Sequence, residues 1–232
     1  MGGSLTADSP TAGSLPMVAA ALALLLGGLL AVALPVVLRR LPRPAGEPAG
    51  WTYATLAVPR FRLATGAAAA GALFAAFCSA EKQWWAAWAA LGVGGVALAA
   101  IDARTGYLPL RLVWATYAAA AAGIVAGCLA TGDGAAALGP VAGSAVAALV
   151  GWVLWRFGQG PGFGDVRLVA LIGLVAGTGG LAGALWSLAV GGAIGALWGV
   201  VRRWAGRGRG AYPFGPALMA GPFVVVAASG FV

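Results

Sequence analysis

Asp102, in AAIDARTGYLP, and Asp165, in GPGFGDVR, are two carboxylates in a chain of 232 residues that holds only six acids. Each stands where a long apolar run meets a polar junction, Asp102 closing the third run and Asp165 opening the sixth. An ionisable group at the margin of a membrane segment is expensive to keep there, which makes both candidates for chemistry. The remaining acids, Asp8, Glu47, Glu81 and Asp133, fall in a tail and in loops, where a solvated carboxylate costs little. Two carboxyls held near one water resist double ionisation, so one keeps its proton while the other takes a proton from the water. The water then attacks a peptide carbonyl, the protonated partner donates to its oxygen, and the two titrate as a couple.

Elimination narrows the choice of chemistry, because the chain has no histidine. A Ser-His protease, a Cys-His pair and a zinc protease built on H-E-x-x-H are all excluded. Cys78 and Cys128 are too few for a disulfide framework or a structural zinc site; both fall near the expected outer ends of their helices, so a single bridge is the alternative to small buried side chains, the simpler reading of both. Plainer roles exist for the two acids as well. Asp165 suits an N-cap behind two glycines, and Asp102 suits an interfacial ion pair with Arg104 or Arg111. Capping does not exclude catalysis, and the bare backbone of Gly162 and Gly164 lets an extended peptide approach Asp165 closely.

The elements that must position these groups are membrane helices. The chain is 61% hydrophobic and 9% charged, far from the balance of a soluble domain. Its apolar runs are continuous and rich in Ala, Leu, Val and Gly, which argues for helices and against the short alternating strands of a barrel. They fall at about 15–38, 64–79, 84–101, 112–130, 136–155, 166–178, 181–201 and 213–232, giving eight expected spans with both termini on the extracytoplasmic side. The seventh run is kept apart from the sixth at Thr178 to Gly180, although a single bent segment is the alternative. Residues 39–62 read as an irregular cytoplasmic loop with no independent domain, so the whole of 1–232 is expected to be one transmembrane domain. On this topology every arginine lands on one face and Lys82 on the other, so the arginine-rich face is cytoplasmic. The formal charge of +8 is spread over the ends of apolar runs instead of gathered on one surface, which argues against nucleic acid as a partner. Gly191, Gly195 and Gly199, four residues apart, are read as helix-packing positions.

Three blocks together resemble the type IV prepilin peptidases, a family of intramembrane aspartic proteases of the GxGD kind. They are DARTGYLP, in which Pro109 follows Asp102 by seven residues, GPGFGDVRLVALIGLVAG, and PFGPALMAG from Pro213 to Gly221. The resemblance implies an all-α polytopic enzyme of a prokaryotic inner membrane, with Asp102 and Asp165 as the catalytic pair. It further implies that Gly162, Gly164 and Pro109 shape the approach of the substrate, a prepilin or pseudopilin precursor whose short basic leader is removed on the cytoplasmic side. Membrane lipid is the other partner, and proteolysis by this route needs no cofactor or metal. Many members also methylate the new N-terminus with S-adenosylmethionine and carry a CxxC zinc-binding domain after the first helix. This chain has no cysteine in 39–62, and has Gln159, Arg167 and Leu110 where many members have Glu, Lys and Asp. Those departures bear against methylation more than against proteolysis, and the expectation is a compact member. The competing classes are a transporter or channel subunit and a secretion-system scaffold. A transport path predicts charges midway along the runs, and the runs carry none.

Overall fold

The computed structural model describes residues 14–42, 52–158, 162–206 and 213–229. Asp8, Arg43, Glu47, Gln159, Arg207 and Arg209 lie outside these, as do both termini, so the side on which the termini sit falls outside the described residues. Each apolar run becomes helical: α1 (Ser14–Arg40), α2 (Pro59–Ser79), α3 (Trp85–Ala90), continued by a π-turn at Leu91–Gly95 into α4 (Val96–Thr105), then α5 (Leu110–Thr131), α6 (Leu138–Phe157), α7 (Phe163–Ala176), α8 (Gly180–Trp204) and α9 (Gly215–Ser229). No strand occurs among the described residues. Backbone in lipid must satisfy its polar groups internally, and a helix does so within one segment. Six stretches are long and apolar enough to cross a membrane, with Phe163–Trp204 counted as one, and α9 is shorter. The chain is an all-α, multi-pass membrane protein.

Glycines set the helix order. A Cβ on Gly139 of α6 would touch the Gly177 carbonyl at 2.5 Å, and one on Gly143 would lie 3.0 Å from Cβ of Ala184 and against the Gly173 carbonyl. Moving along α6 from 139 to 143 therefore runs backward along α7 and forward along α8. The stretch Phe163–Trp204 is thus a hairpin of two helices turned at Gly177–Gly179, not one bent segment. Similar close approaches join α1 to α2, where a Cβ on Gly27 would be 2.5 Å from the Gly66 carbonyl, and α5 to α3, where one on Gly123 would be 2.5 Å from the Ala87 nitrogen. Gly191 packs on the Leu218 carbonyl and Gly195 on the Phe214 ring, joining α8 to α9 as the packing reading expects. Small residues at such seams let backbones meet where apolar burial gives no drive in lipid.

With α3 and α4 forming one span, successive spans run antiparallel, so α1, α4, α6 and α8 end where α2, α5, α7 and α9 begin. All the described arginines, from Arg39 to Arg203, gather at that end, and Lys82 lies at the other. Residues 39–62 are not irregular throughout: Arg39 and Arg40 finish α1, Tyr53–Leu56 forms a 3-10 turn with Tyr53 buried, and Pro59 opens α2. Proline suits the first helical position, where its missing N–H is not needed. Arg62 then has a structural task. Pro35 inside α1 has no N–H for the carbonyl of Ala31, and Arg62 Nε donates to that carbonyl at 2.9 Å.

Candidate active site

Asp102 sits in the last turn of α4. The helix stops at Gly106, whose φ of 68° is left-handed and whose N–H donates to the Asp102 carbonyl at 2.8 Å. Thr105 Oγ1 donates back to the Ile101 carbonyl at 2.9 Å and accepts from the Tyr107 N–H at 3.1 Å, which shapes the chain leaving the site. The Asp102 side chain is 4% exposed, and its Oδ2 accepts the Gly215 N–H at 2.9 Å. That N–H belongs to the first turn of α9, where amides lack partners inside the helix and favour a negative group. A Cβ at position 215 would stand 2.6 Å from Oδ2, so the contact needs glycine. Among the described residues Asp102 pairs with neither Arg104 nor Arg111, and the ion-pair reading gives way to this backbone contact.

Asp165 is the third residue of α7, not its N-cap; Gly162 holds the cap position. Asp165 Oδ2 accepts the Gly162 N–H at 2.9 Å, while the Asp165 N–H donates to the Gly162 carbonyl at 3.0 Å. The aspartate does cap the helix, but from inside it, through the carboxylate half of a capping box. Its side chain is half-buried. Nearby, Arg167 lies over the Phe163 ring at 4.7 Å, and Phe163 packs edge-on to Trp155 at 5.0 Å.

Both aspartates line one cavity of about 610 Å³ at the arginine-rich end, together with Arg104, Tyr107, Arg167 and Phe214. They lie within electrostatic reach of each other. In each, Oδ2 is held by a backbone amide and Oδ1 takes no hydrogen bond from the described residues. The other expected site residues divide. Gly162 and Gly164 both line the cavity, but a Cβ on Gly162 would meet nothing closer than 4.0 Å whereas one on Gly164 would press on Leu108 at 3.1 Å. Pro109 is buried, is not among the cavity's walls, and caps α5 by accepting the Leu112 and Val113 N–H groups at 3.0 Å. Gly215 had no assigned role in the sequence, although the PFGP block that contains it marked the region.

Among the described residues no cluster of three or more His, Cys, Asp or Glu side chains exists to hold a metal ion. Cys78 and Cys128 are free thiols; Cys78 is exposed, so the buried reading does not hold for it.

The fold and this site define a class: a polytopic helical membrane protein that brings two aspartates from separate helices to one end of its bundle. No family model matches the chain, and no solved structure matches it. Two curated proteins do, the prepilin leader peptidase/N-methyltransferases of Burkholderia pseudomallei strains 1026b and K96243, each 36% identical over 196 residues that cover 80% of this chain. Over that stretch the chain is similar to these prepilin leader peptidases. It spans 58% of the length of those relatives.

Proposed function

We propose that the protein is an intramembrane aspartic endopeptidase that removes the short basic leader from type IV pilin-like or pseudopilin precursors. The observation that carries the reading is the meeting of Asp102 and Asp165 in one cavity at the arginine-rich end. One carboxyl keeps the shared proton and the other takes a proton from a water bridging the free Oδ1 atoms. The hydroxide formed adds to the scissile carbonyl as the protonated carboxyl donates to its oxygen. Collapse of the tetrahedral adduct returns that proton and expels the amine, which leaves protonated by the carboxyl that first took the water's proton. An excess of arginine marks a cytoplasmic face, so cleavage occurs on the inner side of a prokaryotic plasma membrane. The substrate's own apolar helix keeps the bond at that level.

The names of the relatives also state an N-methyltransferase. Beside the aspartate pair, the cavity has no further carboxylate among the described residues to hold the ammonium and ribose hydroxyls of S-adenosylmethionine. The hydrolysis uses none of that group's chemistry.

The test is the purified protein in lipid with a prepilin, with and without S-adenosylmethionine, both products read by mass. A truncated precursor of leaderless mass supports the reading. Full cleavage by Asp102→Asn or Asp165→Asn protein that is inserted normally would end it.

A further inference from the structure

An apolar groove of about 850 Å³ runs along the outside of the bundle between α2, α4 and α9. Alanines make up much of its walls, with Ala64, Ala68 and Ala72 on α2, Ala99 and Ala103 on α4, and Ala220 on α9, beside larger apolar side chains such as Phe223 and Val224 on α9. On α2 the lining extends from Arg60 to Ala75, roughly 22 Å at the helical rise, the length of about four turns of a facing helix. Elsewhere the exposed faces carry large side chains suited to lipid, such as Leu24 and Leu29 on α1, Trp152 and Leu154 on α6, and Leu197 on α8. A concave face rich in alanine along α2 lets another helix approach closely there, as at the glycine seams inside the bundle.

The groove also leads somewhere. Ala103 and Arg104 line both it and the aspartate cavity, so the two spaces adjoin at these residues, next to Asp102 in the chain. That adjacency selects the occupant. A phospholipid has no need of the aspartate cavity, whereas a chain made of an apolar helix preceded by an extended, cleavable segment fills both at once. We infer that the groove is the docking track of the precursor's apolar helix, one face of which lies on α2, α4 and α9 while the residues before it pass Arg104 to reach the aspartates. This rests on the peptidase reading. It adds that selection acts on the face of the membrane-embedded helix as well as on the residues around the cleaved bond.

The test uses the full chain in bilayers with a single-cysteine prepilin. Ala68→Trp places a ring midway along the groove, and Ala67→Trp places the same ring on the neighbouring exposed position outside it. Ala68→Trp is expected to raise KM by about tenfold or more while kcat stays within about twofold, and Ala67→Trp to leave both unchanged. Independently, Ala68→Cys, in a background with Cys78 and Cys128 replaced by alanine, is expected to cross-link to the precursor's helix where Ala67→Cys does not. An unchanged KM for Ala68→Trp, or cross-linking at 67 in preference to 68, overturns the inference. Loss of co-purified phospholipid from Ala68→Trp without a change in KM makes lipid the occupant and overturns it too. Failure of the unaltered chain to cleave any precursor counts against the peptidase instead, and the cross-linking, which needs no hydrolysis, still decides the groove.

Discussion

The end of α4 and the start of α7 each present a carboxylate to the same cavity, but they hold it by different means. Asp102 is tied to an amide 113 residues away, at the first turn of α9, and is 4% exposed. Asp165 is tied to an amide three residues back and is half-buried. The first anchor exists only because α9 packs against α4; the second is a turn that α7 makes locally. Half of the pair is therefore set by tertiary packing and half by the chain's own geometry. A shift of α9 along α4 therefore disturbs the Asp102 anchor directly, whereas the Asp165 anchor lies within its own helix.

Removing either carboxylate is the largest perturbation and treats the two ends alike. Asp102→Asn and Asp165→Asn each lose the exchangeable proton and are expected to lower kcat by about 10³-fold or more, within the range general acid and base groups supply. The asymmetry appears at the next step down. Gly215→Ala places a Cβ 2.6 Å from Asp102 Oδ2 and forces either the carboxylate or α9 to move. A displacement on the order of an ångström in a reacting group costs roughly 10²-fold, so kcat should fall by about that much with KM little changed. Precursor cleavage under saturating substrate measures it. Equal losses from Gly215→Ala and from any change at Gly162 would erase the distinction between the packed anchor and the local one.

The same distinction explains what the sequence disclosed. The Asp165 anchor lies within GFGD and is short-range, so the glycines and the cap were legible, although the aspartate proved to be the third helical residue instead of the first cap. All eight apolar runs appear as helical segments, because in lipid an apolar run of this kind has little alternative to a helix. Asp102's partner was not legible: nothing in PFGPALMAG states that an amide there faces α4. The π-turn at Leu91–Gly95 was also missed, since a glycine-rich stretch reads the same whether a helix is regular or widened. Ala64, Ala68 and Ala72 look no different in sequence from alanines buried at a seam, and only their uncovered position makes a groove. Arg62 was assigned to a loop because its use, a carbonyl orphaned by Pro35 on another helix, is set by packing.

Gly164 is the smaller test of the local end. Its Cβ would press on Leu108 at 3.1 Å, and the atom met is the far end of a flexible side chain that can turn aside. Gly164→Ala is expected to lower kcat by roughly threefold, a fraction of a kcal/mol in barrier. A loss as deep as that of Gly215→Ala would mean that Leu108, in the chain leaving α4, also holds Asp102 in place.

Gly162 gives the smallest effect and the sharpest one. Its backbone, at φ −79° and ψ 163°, suits any residue, and its N–H would still reach Asp165 Oδ2 after substitution. Gly162→Ala should therefore leave the geometry of the carboxylate intact and kcat within about twofold, since the anchor is made by main chain alone. The added methyl meets no protein atom closer than 4.0 Å, and the residue lines the cavity. If an extended peptide passes over this backbone on its way to the aspartates, the methyl obstructs the peptide and not the enzyme, and KM should rise by roughly threefold, about 0.7 kcal/mol of binding. A rise in KM alone assigns the glycine to substrate access; no change in either constant assigns it to the turn, and leaves the bare backbone beside Asp165 without a role in admitting the peptide.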